Sequence, residues 1–226
     1  MNGEALSRSA ALLGEEAMAR LAAARVLVVG VGGVGSWCAE ALLRTGVGRL
    51  VLMDDDSVAP SNLNRQCPAT AATLGRLKAE VMRERLLAIR PDAEVEAVCA
   101  RFTGAEDIRG FDAIADAIDS VDCKAALVLK AAELGTPIVS SMGAALRLDP
   151  TRVRVTRFDK VAGDGLARAL RRRFRAAGGG LPRFDCVWSD EPPRSCRERG
   201  SLMAVTATFG MCLAARIVEL LVRDAT

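Results

Sequence analysis

The chain has 226 residues, half of them apolar, and 31 basic against 28 acidic side chains leave a formal charge of +3. That length supports one large domain, or a domain with a small appendage, and the apolar half is ample for a core. The chain has no histidine or tyrosine, and aromatics make up only 4%. This argues against acid–base work by histidine, against the commonest metal ligand, and against an aromatic platform for stacked bases. The mild positive charge is compatible with an RNA partner without demanding one.

The first strong signal is RVLVV, Arg25–Val29, a β-branched run that reads as a buried parallel strand. Gly30, Gly32 and Gly35 follow as G-x-G-x-x-G, with Gly33 an extra glycine inside it. Such a turn brings backbone close to a phosphate, and the helix expected over residues 34–45 would point its free N–H groups at the anion. Residues 50–53 read as a second strand running into Asp54. The spacing from Gly35 is close to the roughly 20 residues expected for a carboxylate that grips a ribose.

Residues 74–89 read as the next helix, carrying Lys78 and stopped before Pro91. Strands are expected over 94–97, 113–117 and 137–140. Between the last two lies a helix, Val121–Leu134, ended by Gly135. The alternation predicts an α/β fold: a Rossmann-like, doubly wound, mostly parallel sheet with helices on both faces. A nucleotide then belongs at the carboxyl ends of the strands, where Gly30, Asp54 and Asp119 fall.

The glycine turn alone would fit an NAD or FAD site, or a turn with no ligand at all. A dehydrogenase needs one acid after the second strand. This chain has Asp54, Asp55 and Asp56, then Ser61-Asn62-Leu63-Asn64-Arg65-Gln66, then Lys78. Arg65 and Lys78 are cations beyond the phosphate loop, where a triphosphate extends, and could neutralise charge moving onto a leaving pyrophosphate. The plain alternative is a solvated loop and a surface lysine.

Two later stretches depart from simple alternation. Residues 166–176 form a basic amphipathic helix, with Leu166, Leu170 and Phe174 on one face and Arg168, Arg171, Arg172 and Arg175 around the rest. It runs into the glycine break 178–180. This charge run is either a solvated face or a surface for nucleic-acid phosphates. Residues 185–200 are rich in Pro and Arg and contain Cys186 and Cys196. The last helix, 202–222, is long enough to raise the membrane question. Thr206, Thr208, Gly210, Arg216 and Glu219 argue instead for a buried docking helix or a subunit interface, so no membrane is expected. Seven cysteines with no CxxC pair suit free thiols in a reducing cytoplasm. The opening MNGEALSRS has no apolar leader core.

D-x-D followed by SNLNRQ and a later lysine resembles the superfamily of ubiquitin-activating-like adenylating enzymes, which use ATP to turn a carboxylate into an acyl adenylate. Within it the chain is most similar to the tRNA threonylcarbamoyladenosine dehydratases, through SRSAALLGEEAMARL, GVGGVGSWCAEALLRTGVGRLVLMDDD, DAIDSVDCKAAL, SSMGAALRLDP, DCVWS and TATFG. The resemblance implies ATP and Mg²⁺ as cofactors and tRNA as substrate. Asp54 and Asp56 would hold the ribose, Asn62, Arg65 and Lys78 would meet the triphosphate, and Gln66 would join Gly30, Gly32, Gly33 and Gly35 in binding the nucleotide. Asp119 would place Mg²⁺, and Arg8 would reach into the neighbouring subunit's site of a homodimer. A frayed basic N-terminus is the alternative for Arg8. It also leaves open a sulfur-transfer or redox partner protein.

The expected division is 1–24 as an N-terminal helical arm, 25–150 as the ATP-binding core, and 151–226 as a substrate and dimerisation part of the same domain. Ala144 and Ala145 stand where such sequences are richer in glycine, and Gly165 where proline is common. Cys186 reads better as a small buried hydrophobe than as a nucleophile. The alternatives to tRNA cyclisation are activation of a small sulfur-carrier protein, an NAD oxidoreductase, and a nucleotide-sensing scaffold.

Overall fold

The computed structural model describes residues 3–178, 180–198 and 200–223; Met1, Asn2, Gly179 of the expected glycine break, Arg199 and 224–226 lie outside them. Two short helices, α1 (Ser7–Leu13) and α2 (Glu15–Ala23), lead into β1 (Arg25–Val29). Then come α3 (Gly35–Thr45), β2 (Arg49–Met53), α4 (Lys78–Ile89), β3 (Glu94–Val98), β4 (Ala113–Asp116), α5 (Val121–Leu134) and β5 (Ile138–Ser141). The chain closes with β6 (Val153–Arg157), α6 (Gly165–Ala176), β7 (Asp185–Ser189) and α7 (Met203–Val222).

The strands form one seven-stranded sheet in the order β3-β2-β1-β4-β5-β7-β6. All neighbours are parallel except β6 and β7. Side chains alternate across a strand, so β1 feeds two cores. Val26 and Val28 pack with Cys38, Leu42 and Leu43 of α3 and with α7; Leu27 and Val29 pack with Leu127 and Val128 of α5 and Leu170 and Phe174 of α6. With both faces covered, β1 beyond Arg25 and β2 beyond Arg49 are continuous buried apolar runs. This is the doubly wound architecture expected, with helices on both faces.

The structure shifts several boundaries. The expected helix over 74–89 starts at Lys78, because Gly75 takes a φ of +81°, its N–H donates to the Val58 carbonyl at 2.8 Å, and Ser57 and Leu77 form an antiparallel bridge. The strand expected over 113–117 stops at Asp116, leaving Asp119 in the loop before α5. Residues 185–200 begin as β7, and its partner β6 gave no clear sequence signal because VRVTR is an edge strand that stays largely exposed. The α7 helix is long and apolar enough to cross a membrane on length and composition. Its stripe Val205, Phe209, Leu213 and Ile217 is nevertheless buried in the core beside α3, the placement of a core helix.

Candidate functional site

A cavity of about 480 Å³ opens at the carboxyl ends of β1, β2, β4 and β5. The turn after β1 forms its floor. Gly30 has a φ of +89°, and a Cβ there would sit 2.7 Å from the Ala117 carbonyl oxygen. At Gly35 a Cβ would sit 1.8 Å from the Gly30 oxygen, so this crossing of strand, turn and helix admits no side chain at either position. Gly32 and Gly33 line the cavity, and their N–H groups carry no hydrogen bond among the described residues. They stand at the start of α3, where backbone donors favour an anion.

The acids after β2 are individually committed. Asp54 accepts the Val31 N–H at 2.6 Å and the Asp56 N–H at 2.9 Å. Burial raises its carboxyl above the ordinary aspartate range, against the pull of those two amides and of Lys78. Asp55 pairs with Arg101 at 3.1 Å and Asp56 with Lys78 at 2.7 Å. The three carboxylates come within 4.8 Å of one another. Asp119 differs: it lines the same cavity with no hydrogen bond or ion pair, alone in this among the described acids there.

The SNLNRQ segment is clamped over the glycine turn from beneath. Ser36 Oγ donates to the Gly32 carbonyl at 2.6 Å and accepts the Cys67 N–H at 3.1 Å. Trp37 Nε1 donates to the Arg65 carbonyl at 2.9 Å. The Arg65 stem therefore covers Gly33, 3.3 Å from where a Cβ would stand, and its guanidinium donates to the Ser61 carbonyl at 2.8 Å. Asn62 is buried, and its Oδ1 accepts the Ala59 N–H at 3.0 Å, which shapes the segment with the oxygen end of the amide. Gln66 is buried with an Oε1 that has no partner, and its Nε2 faces Gly32. A buried unsatisfied acceptor on a cavity wall is what an incoming donor would relieve.

The cavity thus gathers Gly30, Gly32, Gly33, Asp54, Asp56, Asn62, Arg65, Gln66, Lys78 and Asp119. Gly35 supports it from behind. Arg8 lies on the exposed side of α1, outside the cavity. The three arginines of α6 divide. Arg171 donates to the Phe158 and Val161 carbonyls at 2.9 and 2.5 Å and lies 5.0 Å over the Phe158 ring, whereas Arg172 and Arg175 are exposed. A second hollow, of about 490 Å³, lies at the other end of β5 and β7 by Thr136, Pro137 and Phe184. None of the candidate residues reaches it.

This glycine turn, acid pair and cationic segment on a doubly wound sheet are matched by one family model, the ThiF family, over residues 6–226. The chain belongs to the ThiF family. The tRNA threonylcarbamoyladenosine dehydratase of Escherichia coli K12 is 40% identical over 211 residues, covering 88% of this chain and 78% of that protein. The enzyme of the same name from Haemophilus influenzae is 33% identical over 234 residues, covering 92% and 89%. The crystal structure of the E. coli dehydratase, TcdA, in complex with ATP superposes with a TM-score of 0.93 at 38% identity, covering 97% of this chain and 94% of that one.

Other features of this candidate site were not foreseen from sequence. Arg101, Phe102, Cys123, Leu166, Ser201 and Thr206 also line the cavity. Beneath it lies a buried network: Lys124 Nζ reaches Asp116 Oδ2 at 2.7 Å and Ser140 Oγ at 3.0 Å, while Ser140 Oγ donates to the same carboxylate at 2.6 Å. Asp116 Oδ1 also accepts the Ile118 N–H at 3.1 Å, fixing the loop that carries Asp119. The signal for it was Lys124, a lysine on the same buried helix face as Leu127, Val128 and Ala131. Cys186 is fully buried and burial pushes its thiol up, which disfavours the thiolate. Among the described cysteines, Cys67 is pushed up to about 12, by burial and by Glu40 beside it.

Proposed function

We propose that this chain is an ATP-dependent tRNA-modifying enzyme that cyclises N6-threonylcarbamoyladenosine with net loss of water. The observation that carries the reading is the convergence of a phosphate-binding turn, Arg65, Lys78 and an unpartnered carboxylate, Asp119, in one cavity. The likeness to the dehydratases runs along nearly the whole chain and supports the substrate class.

In this reading ATP lies with its ribose at Asp54 and Asp56 and its phosphates over Gly32 and Gly33. The substrate carboxylate attacks the α-phosphorus and expels pyrophosphate, leaving an acyl adenylate. Asn62, Arg65 and Lys78 stabilise the charge that builds on the phosphates. The carbamoyl group of the same nucleoside then attacks the activated carbonyl and AMP departs; proximity within one molecule supplies much of the rate. No protein nucleophile is needed, which agrees with the burial of Cys186.

Asp119 fits Mg²⁺ in donor chemistry, since it offers a hard, solvent-facing oxygen unclaimed by any cation. Bound Mg²⁺ would offset the charge of the leaving pyrophosphate. We assign the enzyme to the cytoplasm as a homodimer, with residues 1–24 as the dimer arm, 25–150 as the ATP core and 151–226 as the substrate and dimerisation part. Arg8 enters the neighbouring site, and Arg172 and Arg175 face tRNA. A sulfur-transfer or redox partner belongs to the same reading.

The test is a nucleoside mass spectrum after incubation with ATP, Mg²⁺ and threonylcarbamoylated tRNA, worked up mildly because a cyclic product reopens. A nucleoside lighter by one water, formed only with ATP, is the expected result. No mass change, but ATP–pyrophosphate exchange with a Gly-Gly-ended carrier, overturns it in favour of sulfur-carrier activation.

A further inference from the structure

Part of the cavity wall belongs neither to the glycine turn nor to the SNLNRQ segment: Gly143, Ala144, Ala145 and Leu166. This wall hangs on one buried side chain. Arg147 Nε donates to the Gly143 carbonyl at 3.0 Å, one terminal nitrogen meets Asp164 Oδ2 at 2.8 Å, and the other donates to the Ser189 and Glu191 carbonyls at 2.8 and 2.5 Å. Asp164 completes the clasp. Its Oδ2 accepts the Gly143 N–H at 3.2 Å and its Oδ1 caps α6 through the Ala167 N–H at 2.9 Å.

Both polar backbone groups of Gly143 are therefore fixed by one ion pair whose side chains are 2% and 1% exposed. The next residues are held as tightly. Leu146 adopts a φ of +65°, a left-handed conformation that a leucine keeps only when its surroundings impose it. Its N–H donates to the Gly200 carbonyl at 2.9 Å and its carbonyl accepts the Arg194 N–H at 2.8 Å. The loop after β5, the start of α6 and the segment after β7 thus meet at one planar guanidinium, and none of its partners belongs to the residues around the phosphate turn.

We propose that Arg147 is a positioning residue for the carboxylate-bearing nucleoside rather than for ATP: it sets the Gly143–Ala145 wall against which the substrate is held. The inference rests on the proposed cyclisation. A flat fork with three nitrogens can satisfy four acceptors in three directions; an ammonium on a flexible stem cannot.

The experiment compares wild type, Arg147→Lys, Arg147→Gln and Asp164→Asn in ATP-dependent cyclisation, varying tRNA and ATP separately. The KM for threonylcarbamoylated tRNA should rise about tenfold or more in each variant while the KM for ATP stays within about twofold. Equal rises in both, or an Arg147→Lys enzyme with wild-type KM for tRNA, would overturn the proposal. Hydrogen exchange on the same proteins keeps the test informative if the glutamine variant folds poorly. In Arg147→Lys the Gly143 and Leu146 amides should exchange faster with α3 and α4 unchanged, and unaltered protection there counts against Arg147. A wild-type enzyme that forms no dehydrated nucleoside sinks the cyclisation reading instead, which the exchange data do not depend on.

Discussion

Lys78 Nζ stands 2.7 Å from Asp56 Oδ2, and the lysine side chain is 6% exposed where the carboxylate is 61% exposed. The ammonium is held at the first residue of α4 by an ion pair to Asp56, which itself opens to the cavity, with Asp54 nearby. A buried cation so placed needs an acceptor at all times. ATP would supply one in its phosphates as its ribose takes Asp56. Lys78→Ala should therefore lower kcat/KM by a hundredfold or more, most of it in kcat. Asp56→Asn should chiefly raise the ATP Kd, by about tenfold. Steady-state kinetics with calorimetric ATP titration separate the two. Near-wild-type kcat in the lysine variant would remove Lys78 from the chemistry.

Asp119 has no partner in the described cavity, so its replacement breaks nothing structural. Asp119→Ala should keep the thermal midpoint of the wild type and lose about a hundredfold or more in Mg²⁺-dependent turnover, several kcal/mol of barrier. Raising Mg²⁺ should recover part of the rate if the carboxylate places the ion. A fall in stability without a change in the Mg²⁺ profile would make it a structural residue.

The pH response should come from Asp54. Burial raises its carboxyl above the ordinary aspartate range, so the folded chain takes up this proton more readily than the unfolded chain does. Its contribution to stability is then full below the unfolded-state pKa and is lost as pH rises through the folded-state value. Acidification through that window protonates the group that would hold the ribose without unfolding the protein through it. ATP affinity should fall while far-ultraviolet ellipticity stays constant. Asp54→Asn should bind weakly at every pH and lose this dependence; an unchanged profile would assign it to another group.

Strands β1 and β2 were legible because buried parallel strands are continuous apolar runs, and RVLVV next to a glycine turn has few other readings. It carried the boundaries less well. Helix α4 starts four residues late because Gly75 and the Ser57–Leu77 bridge extend the chain first. Strand β6 was missed, since a five-residue edge strand that stays largely exposed buries no apolar face to mark it. Within the site, residues adjacent in sequence to the motif were found. Those that arrive from afar, such as Arg101, Leu166 and Thr206, were not, because nothing local marks a side chain whose role depends on where another element ends. Arg147 is the sharpest case: its four acceptors are backbone carbonyls and one distant carboxylate, none readable from composition.

The basic helix α6 makes separable predictions for arginines four residues or fewer apart. Arg171 is a structural strap over Phe158, so Arg171→Ala should cost about 1–2 kcal/mol of stability through its two carbonyl bonds. Arg172 and Arg175 are exposed, and replacing both with Glu should leave stability and ATP binding intact. It should weaken tRNA binding and flatten its salt dependence by about two contacts. Chemical denaturation and tRNA titration at several salt concentrations read both effects. Unchanged tRNA affinity in the double variant would clear this face of any role.

Arg8 presents the last question, because its exposed position on α1 gives it nothing to do within its own cavity. If it completes a neighbouring site, Arg8→Ala should be inactive with its fold intact. Arg65→Ala should be inactive as well, since Arg65 lies over Gly33 in the same subunit. Mixed dimers of the two would then contain one site built entirely from intact residues and one carrying both lesions. Partial activity, at most about half that of the wild type, is expected after subunit exchange. Mixed dimers verified by mass and still inactive would place Arg8 outside catalysis.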